Sequence, residues 1–500
     1  MRSKLKELLN LDTKNPIIKK LVSGMAWNVF GTVLSKALLM VASIITARIL
    51  GVDQNGEYGV INSTVLMFST FAGLGLGTTA IRFVAEYKNT DKKKCGRIIA
   101  MTNIVGIASG CLMAIVLVIL APWLAAEQLN AVHLESVLML SSLVLITNTI
   151  NSIQSSMLSG FENFRGLARL TIIQGIIVFP TYIGLTYLFA VKGLILGNIV
   201  VGCIMVVLFG IENFKVRKHY EMDMDIRKAY QEFSIMWSFS LPSMLSNIMV
   251  GPITWVGNTF ITATENGYFE LGIFSAANQW RAVLIFLPTA VGSVILPLIV
   301  ANKGNEHLER INILFGWMIV NCLAIPILAV PELIALLYGS EYSGKSLNVS
   351  ILMVVLICCI LSYKEGIARN LVSKNLMWWG FLSNTLWGAT FLGLLWVIHD
   401  WGAIGMASSY LVAYFVTTIV FVPFYIRRKV VHRSLLISKE IVFMWIALLI
   451  QMAGTALTEN MAVRVSTLVL SVVALWQVGK MMLKSSESEN VTERYSVPLR

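Results

Sequence analysis

The chain has 500 residues, 56% of them apolar and only 13% charged, and its mean hydropathy of +0.74 lies far from the soluble range. Those values exclude a soluble globular core. The formal charge of +12 does not point to nucleic acid, because the basic residues fall in short gaps between apolar runs, where an anionic membrane surface accounts for them.

About 20 apolar residues in helical form cross the hydrocarbon layer. Runs of that kind are expected near 22–50, 57–81, 98–120, 136–159, 167–190, 193–212, 233–262, 270–301, 311–338, 347–368, 377–398, 402–426, 440–458 and 461–483. A β-barrel is excluded, since its strands would be about ten residues long and would alternate apolar with polar. The predicted fold class is all-α, a polytopic membrane protein of about 14 transmembrane helices.

The polar, basic N-terminal segment 1–21 is expected to be retained rather than cleaved as a leader, and Leu5, Leu8, Leu9, Ile17 and Ile18 suggest a short interfacial helix there. In the first span Asn28, Thr32, Ser35, Lys36, Ser43 and Thr46 fall within one arc of about 100°. Lys36 lies about 20 Å from the span's start, a depth at which a charge facing lipid is costly. That position predicts a hydrated cavity. Span two contributes Asn62, Ser69 and Thr70, and its Gly73 and Gly77 form a Gly-x-x-x-Gly step expected to let helices approach closely. Span four is polar from Thr147 to Ser156, with Asn148, Asn151 and Ser155 aligned.

The stretch 215–232 is the longest polar interruption and is expected to link an N-terminal six-helix lobe, 22–214, to a C-terminal one, 233–426. Any repeat between the lobes would be parallel. Span seven is interrupted by Pro242 and Pro252, whose neighbours lose helix hydrogen bonds and need protein or water beside them; Ser240, Ser243, Asn247, Thr254 and Asn258 share one face. Span eight places Ser275, Asn278, Arg281, Pro288, Thr289 and Gly292 on one broad side. Glu332 is the one carboxylate expected at depth, and Glu365 is expected to pair with Arg369 one turn later. Two further spans occupy 427–483, followed by a tail at 484–500.

Of the 39 lysines and arginines, 33 fall in alternate gaps and tails and four in the opposite set. The positive-inside rule therefore predicts both termini in the cytoplasm. Lys36 and Arg281 remain as the two that topology does not explain. Buried positive charge with little negative charge beside it favours an anionic ligand, phosphate above all. The substrate-contact candidates are Lys36, Arg281, Asn28, Asn62, Asn247 and Asn278. Six cysteines and five histidines show no metal or disulfide spacing, so no metal or cofactor is expected. Gly73-Leu-Gly75-Leu-Gly77 lacks the strand a nucleotide loop requires, and no Walker lysine is present. Outer loops are too short for a folded domain and no carboxylate cluster is visible, so no enzyme is expected; a membrane glycosyltransferase or polymerase is the enzyme alternative.

Three motifs carry a family resemblance: Gly24-Met-Ala-Trp-Asn28, the turn Gly51-Val-Asp-Gln-Asn-Gly-Glu-Tyr-Gly59, and Phe274-Ser-Ala-Ala-Asn-Gln-Trp-Arg281 followed by Phe286-Leu-Pro288. With them the chain resembles the Wzx-type polysaccharide repeat-unit flippases of the multidrug/oligosaccharidyl-lipid/polysaccharide exporter superfamily. The resemblance implies two six-helix lobes around a central cavity, two additional C-terminal helices, and alternating access. It implies a substrate of oligosaccharide joined through pyrophosphate to a polyprenyl lipid, moved to the outer leaflet of a bacterial cytoplasmic membrane. A polysaccharide polymerase and chain-length machinery are the expected protein partners. Within the same superfamily a peptidoglycan-precursor (lipid II) flippase is the near alternative, although its arginine-rich cavity pattern is not evident. A cation-coupled multidrug antiporter would call for carboxylates in the first or seventh span, and none is there.

Overall fold

The computed structural model describes residues 16–495 except 246–247, 302–305, 375, 434, 436–437 and 459; several side chains, including those of 16–30 and 290–301, fall outside that description. Most of the expected interfacial helix therefore lies outside the described residues, as does Asn247.

In hydrocarbon no water satisfies a free backbone group, so an apolar span must close its own hydrogen bonds as helix. The elements are α1 (Pro16–Gly73), α2 (Leu76–Tyr87), α3 (Lys92–Trp123), α4 (Glu135–Gly160), α5 (Phe164–His219), α6 (Leu241–Leu245), α7 (Val250–Thr262), α8 (Gly267–Ala301), α9 (Glu306–Ala329), α10 (Glu332–Tyr338), α11 (Lys345–Ser373), α12 (Met377–Ile398), α13 (Gly402–Arg427), α14 (Lys439–Leu457) and α15 (Met461–Tyr495). Among the described residues each expected span falls largely on helix, with breaks at 74–75, 248–249 and 330–331. Nine segments among the described residues are long and apolar enough to cross a membrane, and the longest of them fold back on themselves.

The reversals have local causes. Gly51 adopts φ 73° and turns α1 sharply, a conformation that an L side chain resists. The turn frees the carbonyls at the end of the first span, and the Tyr342 hydroxyl donates to two of them, Ala47 at 3.0 Å and Gly51 at 2.9 Å. Phe189 and Ala190 turn α5 without a glycine; Ala190 takes φ 50°. Gly402, at φ 57°, opens α13 against Glu270, whose carboxylate accepts from the Ala403 N–H at 2.8 Å.

One expectation needs correction. The step from Gly73 to Gly77 is not continuous helix, because Leu74 and Gly75 are left-handed and α2 starts afresh at Leu76. Gly75 instead receives the Ser240 carbonyl, which would sit 2.3 Å from a methyl at that position. The polar stretch around 220–232, expected to link the lobes, is docked on α3. Arg97 pairs with Glu232 at 2.8 Å, and the Asp223 carbonyl lies against Gly96.

Alternate loops gather at opposite ends of the bundle. At one end Lys88 pairs with Glu162, Lys92 with Glu221 and Lys374 with Glu309. We call this the basic end. At the other, distal end Tyr268 donates to the Leu129 carbonyl, His133 meets Glu57, and Arg464 pairs with Glu332. Exposed Trp237 and Trp378 ring the basic end and Trp123, Trp396 and Trp401 the distal end, as amphipathic indoles do at membrane interfaces. The largest apolar cluster runs through both halves of the chain and includes the distal residues Ala47, Val52, Leu129, Leu271, Tyr338 and Tyr342. The first half's basic end has a cluster of its own, around Leu76, Ile98 and Met157.

Candidate functional site

The halves meet most tightly where the motifs singled out in the sequence lie. Asn55 donates to the Gly272 carbonyl at 3.1 Å. A methyl on Gly56 would lie 1.9 Å from the Tyr268 carbonyl oxygen, and one on Gly272 would lie 2.0 Å from that of Val52. Both positions need glycine because backbone meets backbone there. Toward the basic end this seam is continued by Ser43 donating to Gln279 at 3.2 Å, with Tyr338 donating to the same oxygen at 3.0 Å. Beyond that point, among the described residues, no hydrogen bond or ion pair joins the first span to α8.

A second seam, on the other side, stays closed along its length. Trp255 donates to Thr64 at 2.9 Å, and the Thr78–Ser243 and Thr79–Ser240 hydroxyls pair at 2.7 Å. Phe83 and Phe239 meet edge to face, with the Arg82 guanidinium 4.6 Å from the Phe239 ring centre. Among the described residues the polar contacts of the first seam end at Ser43, whereas those of the second run on to Phe83 and Phe239.

Lys36 lies beyond Ser43 on the first span, toward the basic end. It is seven residues from Ser43, so the two side chains point within about 20° of each other and about 10 Å apart along the axis. Lys36 is exposed and forms no ion pair or hydrogen bond among the described residues. The polar arc predicted for this span divides. Ser35 is buried against Gly175 of α5 and Thr46 is buried near the turn, whereas Lys36 and Ser43 look toward α8. Asn62 lies seven residues from Asn55 on the same side of α1, is exposed and has no partner among the described residues.

Arg281 is half-buried on α8, seven residues after Phe274, which stacks on Tyr410. Its guanidinium lies 5.7 Å from the Tyr410 ring centre, and the Tyr410 hydroxyl pairs with Thr254 of α7 at 3.2 Å. An aromatic face holds a cation without neutralising it. Asn278 is half-buried, unpaired among the described residues, and about 60° round the helix from both Arg281 and Ser275. Ser275 faces Gly59 of the first half. Lys36 and Asn62 thus lie on the first half and Asn278 and Arg281 on α8 of the second, and among the described contacts none joins the two pairs directly. Asn28 is in α1 with its side chain outside the described residues.

Charge counting missed part of the site. Lys364, grouped by sequence with the loop cations, is largely buried on α11, donates to Thr417 at 2.8 Å and lies 5.4 Å from the Tyr414 ring centre. Glu365 accepts from Thr289 of α8 at 3.1 Å and pairs with Arg369 at 3.7 Å, the pairing the sequence predicts. Arg369 also donates to Asn312 at 2.6 Å. The missed signal was aromatic spacing on α13, where Tyr410, Tyr414 and Thr417 repeat at helical intervals opposite these cations. Glu332, the expected deep carboxylate, pairs with Arg464, a residue counted among the distal loop cations but buried. That pair ties α10 to α15.

A bundle of long apolar helices joined across two halves of the chain defines a multi-pass membrane protein. The polysaccharide biosynthesis protein family matches residues 21–303, more than half of the chain, and the chain belongs to it. It is a transporter rather than an enzyme. The EPS I polysaccharide export inner membrane protein EpsE of Ralstonia solanacearum is 21% identical over 396 residues, 75% of this chain and 87% of the relative. Its counterpart in Ralstonia nicotianae (strain ATCC BAA-1114 / GMI1000) is 24% identical over 195 residues, which is 37% of this chain and only 44% of that relative. Two solved structures share the fold. The lipid II flippase MurJ in an inward closed conformation aligns at a TM-score of 0.65 with 14% identity, covering 92% of this chain and 99% of that one. An inward-facing multidrug resistance MATE family transporter of the MOP superfamily aligns at 0.64 with 14% identity, covering 79% and 94%.

Proposed function

We propose that the chain is a flippase that carries polyprenyl-pyrophosphate-linked oligosaccharide repeat units from the cytoplasmic to the outer leaflet of a bacterial cytoplasmic membrane during polysaccharide biosynthesis. The observation that carries this reading is the pair of cations, Lys36 on the first half and Arg281 on the second, which have no carboxylate partner among the described residues. Moving a diphosphate through hydrocarbon unaided costs on the order of tens of kcal/mol. A hydrated cationic gap between the halves replaces much of the lost hydration, while the lipid tail stays in the bilayer outside it.

In this reading the basic end is cytoplasmic, as the excess of lysines and arginines in the loops gathered there implies, and the conformation is inward-open with the distal seam shut. Lobes at 22–214 and 233–426 rock about that seam, and the helices within 427–483 flank the second lobe. Lys36 and Arg281 take the diphosphate; Asn62 and Asn278, with Asn28 and Asn247 farther along their spans, offer amide hydrogen bonds to sugar hydroxyls. A polysaccharide polymerase receives the product. A cation-coupled antiporter is disfavoured because Glu365 is already paired with Arg369 and Thr289.

Deletion cells test the assignment. They are expected to accumulate the lipid-linked repeat unit and lose extracellular polymer, and the wild-type chain should restore export. A chain with both Lys36→Ala and Arg281→Ala, inserted at normal level, is expected to restore less than a tenth of it. Full export by that double variant would remove the two cations from the mechanism.

A further inference from the structure

A second cationic cup lies at the basic end of the second half, away from the proposed gap between the halves. It encloses about 500 Å³ between the start of α9, the end of α11 and the segment after α13. Arg310, Lys374, Lys429 and Arg433 line it against a single carboxylate, Glu309. Glu309 is engaged by Lys374 at 2.9 Å. Arg310, Lys429 and Arg433 therefore remain without an ion pair among the described residues.

A basic loop that served topology alone would need no fixed shape. This one is clamped. Lys374 donates to the Lys429 carbonyl, Asn370 to that of Val430 at 3.1 Å, and the Tyr363 hydroxyl to that of Leu435. Val430, Val431 and Leu435 are buried beneath it. Lys429 is held at φ 53°, a left-handed conformation that an L side chain adopts only where its surroundings enforce it. The result is three unneutralised cations around a concave, preorganised surface with an apolar wall.

We propose that this cup is a binding site for a phosphate-bearing anion, distinct from the transport gap. Guanidinium groups bind phosphate oxygens through paired, charge-assisted hydrogen bonds, and the cup's position where helices leave the bilayer suits a phospholipid headgroup as well as a soluble phosphate. It does not rest on the flippase assignment.

The test uses the full chain, purified in detergent and stripped of lipid, with three probes: phosphatidylglycerol, phosphatidylcholine and inorganic pyrophosphate, each read by retention in native mass spectrometry and by the shift in melting temperature. The paired variant Arg310→Gln with Arg433→Gln is compared with a control pair in another basic loop, Lys92→Gln with Lys93→Gln. Selective retention of phosphatidylglycerol over phosphatidylcholine, weakened about tenfold or more in the arginine pair alone, is expected for a headgroup site. Pyrophosphate binding with the same arginine dependence, and no lipid selectivity, supports the site with a soluble source. Binding by neither anionic probe, or equal binding by the two paired variants, would overturn it. Should the arginine pair melt early without probe, Lys429→Gln carries the same comparison.

Discussion

Replacing Gly56 with alanine adds one methyl at the tightest point of the distal seam. That carbon would lie 1.9 Å from the Tyr268 carbonyl oxygen, whereas ordinary contact of this kind needs roughly 3.0 Å or more. The helices must therefore part by about 1 Å, which stretches the 3.1 Å Asn55–Gly272 bond beyond hydrogen-bonding range. Overpacking costs about 1–3 kcal/mol and the lost buried bond about 1 kcal/mol. Alanine returns about 1 kcal/mol as a better helix former than glycine. The net penalty on the distal-closed state is about 1–3 kcal/mol, a population shift of roughly 5- to 150-fold toward distal opening. A cysteine at Ser275, beside Gly59, reports it in a chain whose exposed Cys203 and Cys322 are replaced by alanine. Labelling by a membrane-impermeant maleimide from outside is expected to quicken at least fivefold in the Gly56→Ala background. An unchanged rate in correctly inserted protein would refute the reading of this seam as the gate that closes.

Three further substitutions separate structural from functional polar groups. Glu332→Ala leaves buried Arg464 without its 2.8 Å partner; the carboxylate is partly exposed, so the loss is about 1–2 kcal/mol, seen as a melting temperature a few degrees lower with export unchanged. Asn312→Ala removes buried bonds to Gly366 at 2.7 Å and Asn370 at 3.0 Å and an acceptor for the half-buried Arg369. It should cost about 2–4 kcal/mol and lower protein abundance; normal abundance would show that the network is dispensable. Tyr410→Phe keeps the ring under Arg281 and loses the hydroxyl that meets both Thr254 and the Arg281 guanidinium, so export should fall about two- to fivefold, less than for Arg281→Ala. An equal loss would mean that the hydroxyl, not the guanidinium, carries the function.

The sequence made the spans legible because hydrocarbon length and backbone saturation leave one solution for an apolar run of about 20 residues. Gly51 was legible as a turn for the same local reason. The reversal at Phe189 and Ala190 carries no glycine or proline of its own and is set by packing, with the Leu185 carbonyl pressed against Gly193. The polar arc on span one located Lys36 but could not say which neighbour each member faces; Ser35 and Lys36 are adjacent in sequence and turn to different helices. Asn151 illustrates the commoner outcome, donating to the Gly202 carbonyl at 3.0 Å as an interhelical tie. Lys364 and Arg464 were misplaced because charge counting assigns cations by sequence position, while their burial depends on Thr417, Tyr414 and Glu332, far along the chain.

The central claim is that a cationic gap between two halves carries a diphosphate-linked glycan across the membrane. Proteoliposomes loaded with a labelled polyprenyl-pyrophosphate oligosaccharide in the leaflet facing the basic end test it directly, with transfer read by an impermeant enzyme that modifies only exposed sugar. The account predicts rapid transfer with the wild-type chain and a rate at least tenfold lower with Lys36→Ala and Arg281→Ala together. Transfer at the protein-free rate, or equal transfer by both chains, would contradict it.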